Sequence, residues 1–425
     1  MRGDRPTVRP GDGILEHGAR LAQATLETPA RHPRTAVVIG RLLGAAFLVC
    51  FATGLYSHFI QAPLPGMAFP SRPEWLYRVT QGVHVTAGIA CIPLLLGKLY
   101  TVFPLLFAWP PVKTLLGLLE RASIALFVAS SLVQLAIGLL NTFQWYPWPF
   151  SYRATHFALA WIIVASLALH IGVKLPIIAR WWRRRDSVDD DGRLLPVGPA
   201  EGELREHVRP SRGITGFLQR RLDRARRPTE PVSRRTLVGA VGIGTAVAVV
   251  GSAGQTVPAL APLDVFGPRQ VGRGPQNLPV NKTARAAGVL ERAKSPDWSL
   301  TVSGAQAQRT LTLADLRGMP QTTVVLPIAC VEGWSTSAEW RGVRFRDLAA
   351  LVGASRRPFS VRSLQVGAYA HTLLEANFVD DPLTLVALEV NGAVLHLDHG
   401  FPARLIAPAR PGVLQTKWLA ALEAR

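Results

Sequence analysis

The 425-residue chain is 48% hydrophobic, yet it carries 47 Lys+Arg against 28 Asp+Glu, a formal net charge of +19. A disordered polycation is not this apolar, a nucleic-acid-binding protein does not account for a mean hydropathy of +0.21, and three cysteines exclude a disulfide framework. A chain both basic and apolar points to a membrane protein whose arginines lie on one side, with two or three structural units for its length.

Residues 1–35 form a basic arm with Arg2, Arg5, Arg9, Arg20, Arg31 and Arg34. Four runs without Asp, Glu, Lys or Arg follow: Leu42–Ile60, Val79–Gly97, Ala122–Leu140 and Ala154–Val173. Each is close to the roughly 20 residues that a helix needs to cross a ~30 Å hydrocarbon core, which predicts an all-α transmembrane four-helix bundle over 36–178. The linker 179–235 holds fifteen arginines between Arg180 and Arg235, together with Asp189-Asp190-Asp191, and reads as a solvated segment that sets topology. A Gly-, Ala- and Val-rich fifth span runs from Thr236 to Ala253 within a segment taken as 236–260, and Pro258 and Pro262 disfavour its extension as a helix to Leu263. The loops Gln61–Arg78 and Asn141–Arg153 hold only Arg72, Arg78 and Arg153, so the positive-inside rule places the N-terminus and the linker in the cytoplasm. Five spans then put everything after Leu260 on the other side.

Histidines inside apolar spans need a reason. His84 lies near the outer end of the second span and His156 near the outer end of the fourth. His170 shares a helix face with His156, roughly 21 Å further along at 1.5 Å per residue. Two imidazoles at matched depth on facing helices suit a haem iron, which makes His84 and His156 a bis-histidine pair for one b-type haem; a histidine hydrogen-bonded to a neighbouring helix is the bland alternative for each. The region resembles the four-helix cytochrome b subunits of membrane dehydrogenases such as formate dehydrogenase, with His84, His156 and His170 at matching positions. That resemblance implies a further histidine at the inner end of the first span, where this chain has Ile39-Gly40-Arg41-Leu42. A second haem at His170 therefore lacks its partner. His58, at the outer end of the first span, is an alternative outer ligand or a contact to haem propionates or quinone, and Lys98 and Arg41 read as charges that snorkel to the interface.

Ser233-Arg234-Arg235-Thr236-Leu237 resembles the twin-arginine export signal of bacteria, which carries domains that fold before crossing. This reading places the chain in a bacterial cell membrane, multi-pass, with a folded, cofactor-loaded domain outside. Residues 264–425 change character, with short alternating runs such as Trp298–Gly304, a buried strand at Val324–Ala329, and two strands, Leu385–Val390 and Ala393–His396, across the tight turn Asn391-Gly392. Phe345–Val352 reads as a short helix. Cys50 and Cys91 sit in apolar runs, which leaves Cys330, at the end of the Val324 strand, as the one thiol in a polar context. It is a candidate nucleophile, with His371, His396 and His399 as possible bases, or a metal thiolate.

The segments Leu278–Thr283, Cys330-Val-Glu-Gly-Trp-Ser335, Trp340–Val343, Asp347-Leu348, Asp380–Leu383, Asn391-Gly392, His399–Arg404, Pro408 and Gly412 to Lys417-Trp418 occur in order. Together they resemble the sulfite oxidase family of molybdopterin enzymes over about 270–420. The resemblance implies an α+β, strand-rich molybdopterin-binding domain in which Cys330 is the molybdenum thiolate. It also implies that Asn281, His399, Arg404 and Lys417 hold the pterin and its phosphate, with Tyr369 and His371 near the metal. The fused cytochrome then stands in for the separate haem domain of other members. The expected protein is a membrane-bound molybdenum oxidoreductase exchanging an oxygen atom with a sulfite-like or S-/N-oxide substrate, small or protein-borne, and passing electrons to or from haem and a quinone or other redox carrier. A non-enzymatic binding protein with a degenerate fold and a haem-only electron carrier are the alternatives.

Overall fold

The computed structural model describes residues 26, 28–107, 114–183, 232–270, 272–367 and 369–425. The arm arginines up to Arg20 and the linker residues 184–231, including Asp189-Asp190-Asp191, lie outside the described residues. Five described helices are long and apolar enough to cross a membrane: α1 (Pro33–Gln61), α2 (Leu76–Val102), α3 (Leu115–Thr142), α4 (Tyr152–Arg180) and α5 (Arg234–Ala253). Each of the first four outruns its apolar stretch at both ends, because backbone hydrogen bonding continues into polar sequence after the hydrophobicity stops. Past α5, Pro258–Leu263 forms a short 3-10 helix instead of continuing the span, as expected where prolines remove N–H donors.

The chain divides into two compact units, one built from the described parts of Met1–Ala46, Ala90–Ala136 and Arg153–Ala246, the other from Phe47–Ile89, Ile137–Tyr152 and the described parts of Val247–Arg425. In the first unit the charges on the helices find partners instead of lipid. Lys98 donates Nζ to Ala36 O at 2.9 Å, Lys174 pairs with Glu120 at 2.5 Å, and the Arg41 guanidinium lies 4.1 Å over the Trp182 ring. Gly97 brings α2 onto α5, since a Cβ there would lie 2.5 Å from a methyl of Val241.

The second unit carries the strand-rich C-terminal domain. Its strands are β1 (Ser299–Ser303), β2 (Gln308–Thr312), β3 (Gln321–Ala329), β4 (Ser335–Arg344), β5 (Phe359–Ser363), β6 (His371–Leu374), β7 (Leu385–Val390), β8 (Ala393–Val394), β9 (Arg404–Ile406) and β10 (Leu419–Ala424). One sheet runs β2-β1-β10-β5-β6, and the other β3-β4-β7-β8 with β9 on β7. All pairs are antiparallel except β1 with β10. β7 and β8 pair Val390 with Ala393 across Asn391-Gly392, and both turn residues have positive φ, 50° and 78°, the pair that a two-residue hairpin loop of the mirror-image type demands. The predicted helix at Phe345 runs to Ala350, and its Phe345 ring meets Phe359 of β5 edge to face at 5.2 Å.

Phe345 is fully buried in a cluster with Leu300, Val361 and Leu422, so Phe345→Ala leaves a cavity where helix and sheet meet. The expected cost is roughly 3–5 kcal/mol, read as a lower denaturation midpoint of the C-terminal domain; an unchanged midpoint would show that this contact does not hold the helix to the sheet.

Candidate functional site

β3 delivers Cys330 to a turn rather than to another strand residue. Cys330 N donates to Trp334 O at 2.9 Å and Gly333 N to Cys330 O at 3.1 Å, while Gly333 takes the positive φ of 104° that closes the turn. A parallel bridge between Ala329 and Pro411 brings the segment from Pro411 alongside, and a Cβ on Gly412 would lie 3.1 Å from Ala329 O. The thiol is not in the polar setting expected from its sequence neighbours. It is 2% exposed and belongs to an apolar cluster with Leu326, Ile328 and Trp334, and the turn's own polar residues Glu332 and Ser335 are buried beside it.

Cys330 opens into a cleft lined by Leu278, Asn281, Trp334, His399, Arg404 and Lys417, among others. The five C-terminal residues singled out in the sequence, Cys330, Asn281, His399, Arg404 and Lys417, are therefore brought together in one place. Arg404, on β9, is 3% exposed; it donates to His399 O at 3.0 Å and Gln415 O at 3.3 Å and lies 5.0 Å over the Trp340 ring. Lys417 donates to Asn281 Oδ1 at 3.2 Å and to the backbone oxygens of Lys282 and Asp398, both at 2.8 Å. His399 Nε2 is 2.7 Å from Pro275 O, which places the ring proton on that nitrogen. Gly400, at φ 110°, lets the loop settle where a Cβ would lie 3.0 Å from the Cβ of Arg404 and 3.1 Å from that of Lys417.

The electrostatics of this cleft are one-sided. Neither cation has a carboxylate oxygen among its hydrogen-bond partners, no acidic residue lines the cleft among the described residues, the Asp398 charge only partly offsets the burial of Lys417, and Arg404 Nε makes no hydrogen bond. Burial pulls Arg404 down to about 9. Burial and the nearby Arg404 charge pull Lys417 down to about 7, and burial lowers His399 to about 4. At the other end, burial and the Glu332 charge push the Cys330 thiol well above the ordinary range. Two under-neutralised cations call for an anion, and a buried thiol becomes a thiolate only against a cation. Among the described residues no three His, Cys, Asp or Glu side chains cluster to hold a metal, so a metal at Cys330 would draw its other ligands from a cofactor. An organic cofactor with a phosphate at one end and soft donor atoms at the other fits this donor set.

The model of the oxidoreductase molybdopterin-binding domain matches residues 287–425. The C-terminal domain is a molybdopterin-binding oxidoreductase domain. The chain is 33% identical over 134 residues to the "Putative protein-methionine-sulfoxide reductase subunit YedZ1" of Azospira oryzae, covering 31% of this chain and 51% of the relative. It is 29% identical over 159 residues to the sulfite oxidase of Arabidopsis thaliana, covering 29% of this chain and 40% of that protein. With the NADH nitrate reductase of Ulva prolifera it shares 25% over 171 residues, 32% of this chain and 20% of the other. The chain thus spans between a fifth and about half the length of these relatives.

Other candidate residues lie away from the cleft of the molybdopterin domain. His371 is exposed on β6, where it pairs with Arg362 of β5, and His396 turns its Nδ1 to Asp398 N at 3.2 Å. His84 is on α2 in the second unit, whereas His156 and His170 are on α4 in the first. His84 Nδ1 lies 2.8 Å from Cys50 O, and a Cβ on Gly54 would come within 2.8 Å of its ring. His170 packs by Phe127 at 5.7 Å. Missed by sequence reasoning is the setting of Glu332: its carboxylate accepts from Gln144 Nε2 and from Trp334 Nε1 at 3.3 Å and pairs with Arg269 at 3.7 Å. Gln144 and Arg269 are single residues in loops far from Cys330 in sequence, with no motif to mark them.

The lowered Lys417 gives a pH test. Between about 7 and the ordinary 10.5, the unfolded chain holds the Lys417 proton and the folded chain does not, so the stability of cofactor-free protein rises with pH across this window. A bound phosphate raises Lys417 again and flattens the slope. Denaturant midpoints from pH 7 to 10 should show the rise in cofactor-free protein and lose it in Lys417→Met; the same slope in both proteins would remove Lys417 as its source.

Proposed function

We propose that this chain is a membrane-bound molybdopterin-dependent oxidoreductase that transfers an oxygen atom at the Cys330 cleft and exchanges electrons with a b-type haem held by His84 and His156 in a cytochrome b-like four-helix bundle, α1–α4. The observation that carries the enzymatic reading is the meeting of Cys330, Arg404 and Lys417 in one cleft with no acidic residue in its lining. When bound, the cofactor supplies a metal that exchanges an oxygen atom and two electrons with substrate. The protein supplies the rest. Cys330 Sγ, as a thiolate, would hold the metal. Arg404 would present a guanidinium fork and Lys417 a point charge to the phosphate, and Asn281 and His399, in the same cleft, would hold the pterin.

For the haem, the support is the setting of His84. A backbone carbonyl on Nδ1 fixes the ring and leaves the lone pair on Nε2, the arrangement of a ligating imidazole, and Gly54 makes room for that ring. His156 is its proposed partner; His170 and His58 stay as sites for a second haem or a quinone, the redox carrier that completes the chain. Of the two substrate classes, an S-oxide is favoured over sulfite. One relative's name is that of a methionine-sulfoxide reductase subunit, and two arginines flanking the Cys330 turn, Arg269 and Arg410, are already paired with Glu332 and Glu375, so neither offers free charge to a small dianion. The N-terminus and the Arg-rich linker are assigned to the cytoplasm and the C-terminal domain to the opposite side, with Arg234-Arg235 ahead of α5 as its export signal.

A metal and haem count on detergent-purified protein tests both cofactors at once. Molybdenum and haem near one per chain are expected, with Cys330→Ser abolishing turnover. His84→Ala and His156→Ala should each remove the b-type absorbance; absorbance retained in either variant overturns the ligand pair. Haem without molybdenum, in protein from a host that makes the cofactor, would support the haem-only carrier, and neither group the binding protein.

A further inference from the structure

The turn that carries Cys330 is held by groups from outside the two C-terminal sheets. On α2, Gln81 donates Nε2 to Val331 O at 2.8 Å. Thr256, in the segment after α5, donates its hydroxyl to Gly333 O, and Gln144 donates to the Glu332 carboxylate. The three residues that follow Cys330 are thus each bonded by a different segment of the second unit. The approach is close because two positions lack side chains: a Cβ on Gly333 would lie 2.9 Å from a methyl of Val85, and one on Gly82 would lie 2.5 Å from a methyl of Thr256.

Gln81 is the most constrained of the three. It is 4% exposed, and its Oε1 accepts from Ser57 Oγ at 2.8 Å and Tyr77 OH at 3.4 Å. Val331 O can only accept, which turns the NH₂ end of the amide toward it and leaves Oε1 to the two hydroxyls. Gln81 also stands three residues before His84, on the same face of α2. We infer that Gln81 is a positioning residue for Cys330: its hydrogen bond to Val331 O holds the thiol-bearing turn against the helix that bears His84. The inference rests on Cys330 as the metal ligand proposed above. It gives the Gln81 amide a task that neither helix packing nor sheet formation requires.

The test uses the full-length, cofactor-loaded protein in detergent and Gln81→Met, which keeps the side-chain length and removes the donor. Hydrogen–deuterium exchange should become on the order of tenfold faster in peptides covering 330–335, the size expected when a buried carbonyl loses its partner, with β1 and β10 unchanged. Molybdenum content should stay the same while the lines of the pentavalent molybdenum EPR signal shift, a change that a purely structural contact remote from the ligand would not cause. Wild-type exchange at 330–335, or wild-type EPR lines, overturns the proposal. If exchange instead rises throughout the domain, Gln81→Glu, which keeps the acceptor for Ser57 and Tyr77, is judged by the same two measurements. Pentavalent molybdenum EPR lines unchanged in Cys330→Ser would remove the ligand reading itself, and the exchange result, which needs no metal, separates that failure from failure of the Gln81 contact.

Discussion

Two cations with only neutral hydrogen-bond partners set the terms for the C-terminal domain. Arg404 and Lys417 sit in one cleft, solvated by backbone and amide oxygens rather than by carboxylates. Desolvation without a counter-charge is costly, so a fold that tolerates it keeps the positions for something other than its own stability. The surrounding structure serves that constraint. β9 fixes Arg404 at the foot of the cleft, the Trp340 ring lies under its guanidinium, and the loop through Gly400 closes to within backbone distance of Lys417. The partners are chosen so that both cations are held in place without being neutralised.

The thiol at the other end obeys the opposite electrostatics. Burial and the Glu332 charge favour the protonated form of Cys330. Glu332 is kept beside it by Arg269, Gln144 and Trp334, a set of contacts that compensates a buried carboxylate two residues from the sulfur. The turn is stiff for a second reason, since each of its backbone carbonyls at Val331 and Gly333 has a side-chain donor from a neighbouring segment. The geometry of the Cys330 turn is therefore set by neighbouring segments of the second unit as well as by β3 and β4.

Some of this was legible from the residues alone. Apolar runs marked all five long helices, since a run of that length has no other stable home, and alternation with Asn391-Gly392 marked the β7–β8 hairpin. The cleft residues were legible as motifs: Cys330, His399, Arg404 and Lys417 stand in the segments that carried the resemblance, and all four line one cleft. Helix ends were not, because capping and backbone hydrogen bonds extend past the hydrophobic pattern. The burial of Cys330 was misread because polar neighbours in sequence say little about which way a tight turn points its side chains. Gln81, Gln144 and Arg269 left no trace: each is one polar residue whose meaning depends on a contact across more than 60 positions of chain.

One topological detail bears on how the domain is made. β1 pairs in parallel with β10, and β10 also pairs with β5, so the central strand of the first sheet comes last in sequence. Until Leu419–Ala424 has been synthesised, β1 and β5 present open edges to solvent and to each other, an invitation to wrong pairing. The sheet closes by contacts of long sequence separation, which form slowly. Loss of Leu419–Ala424 would open two sheet edges at once, because β10 pairs with both β1 and β5.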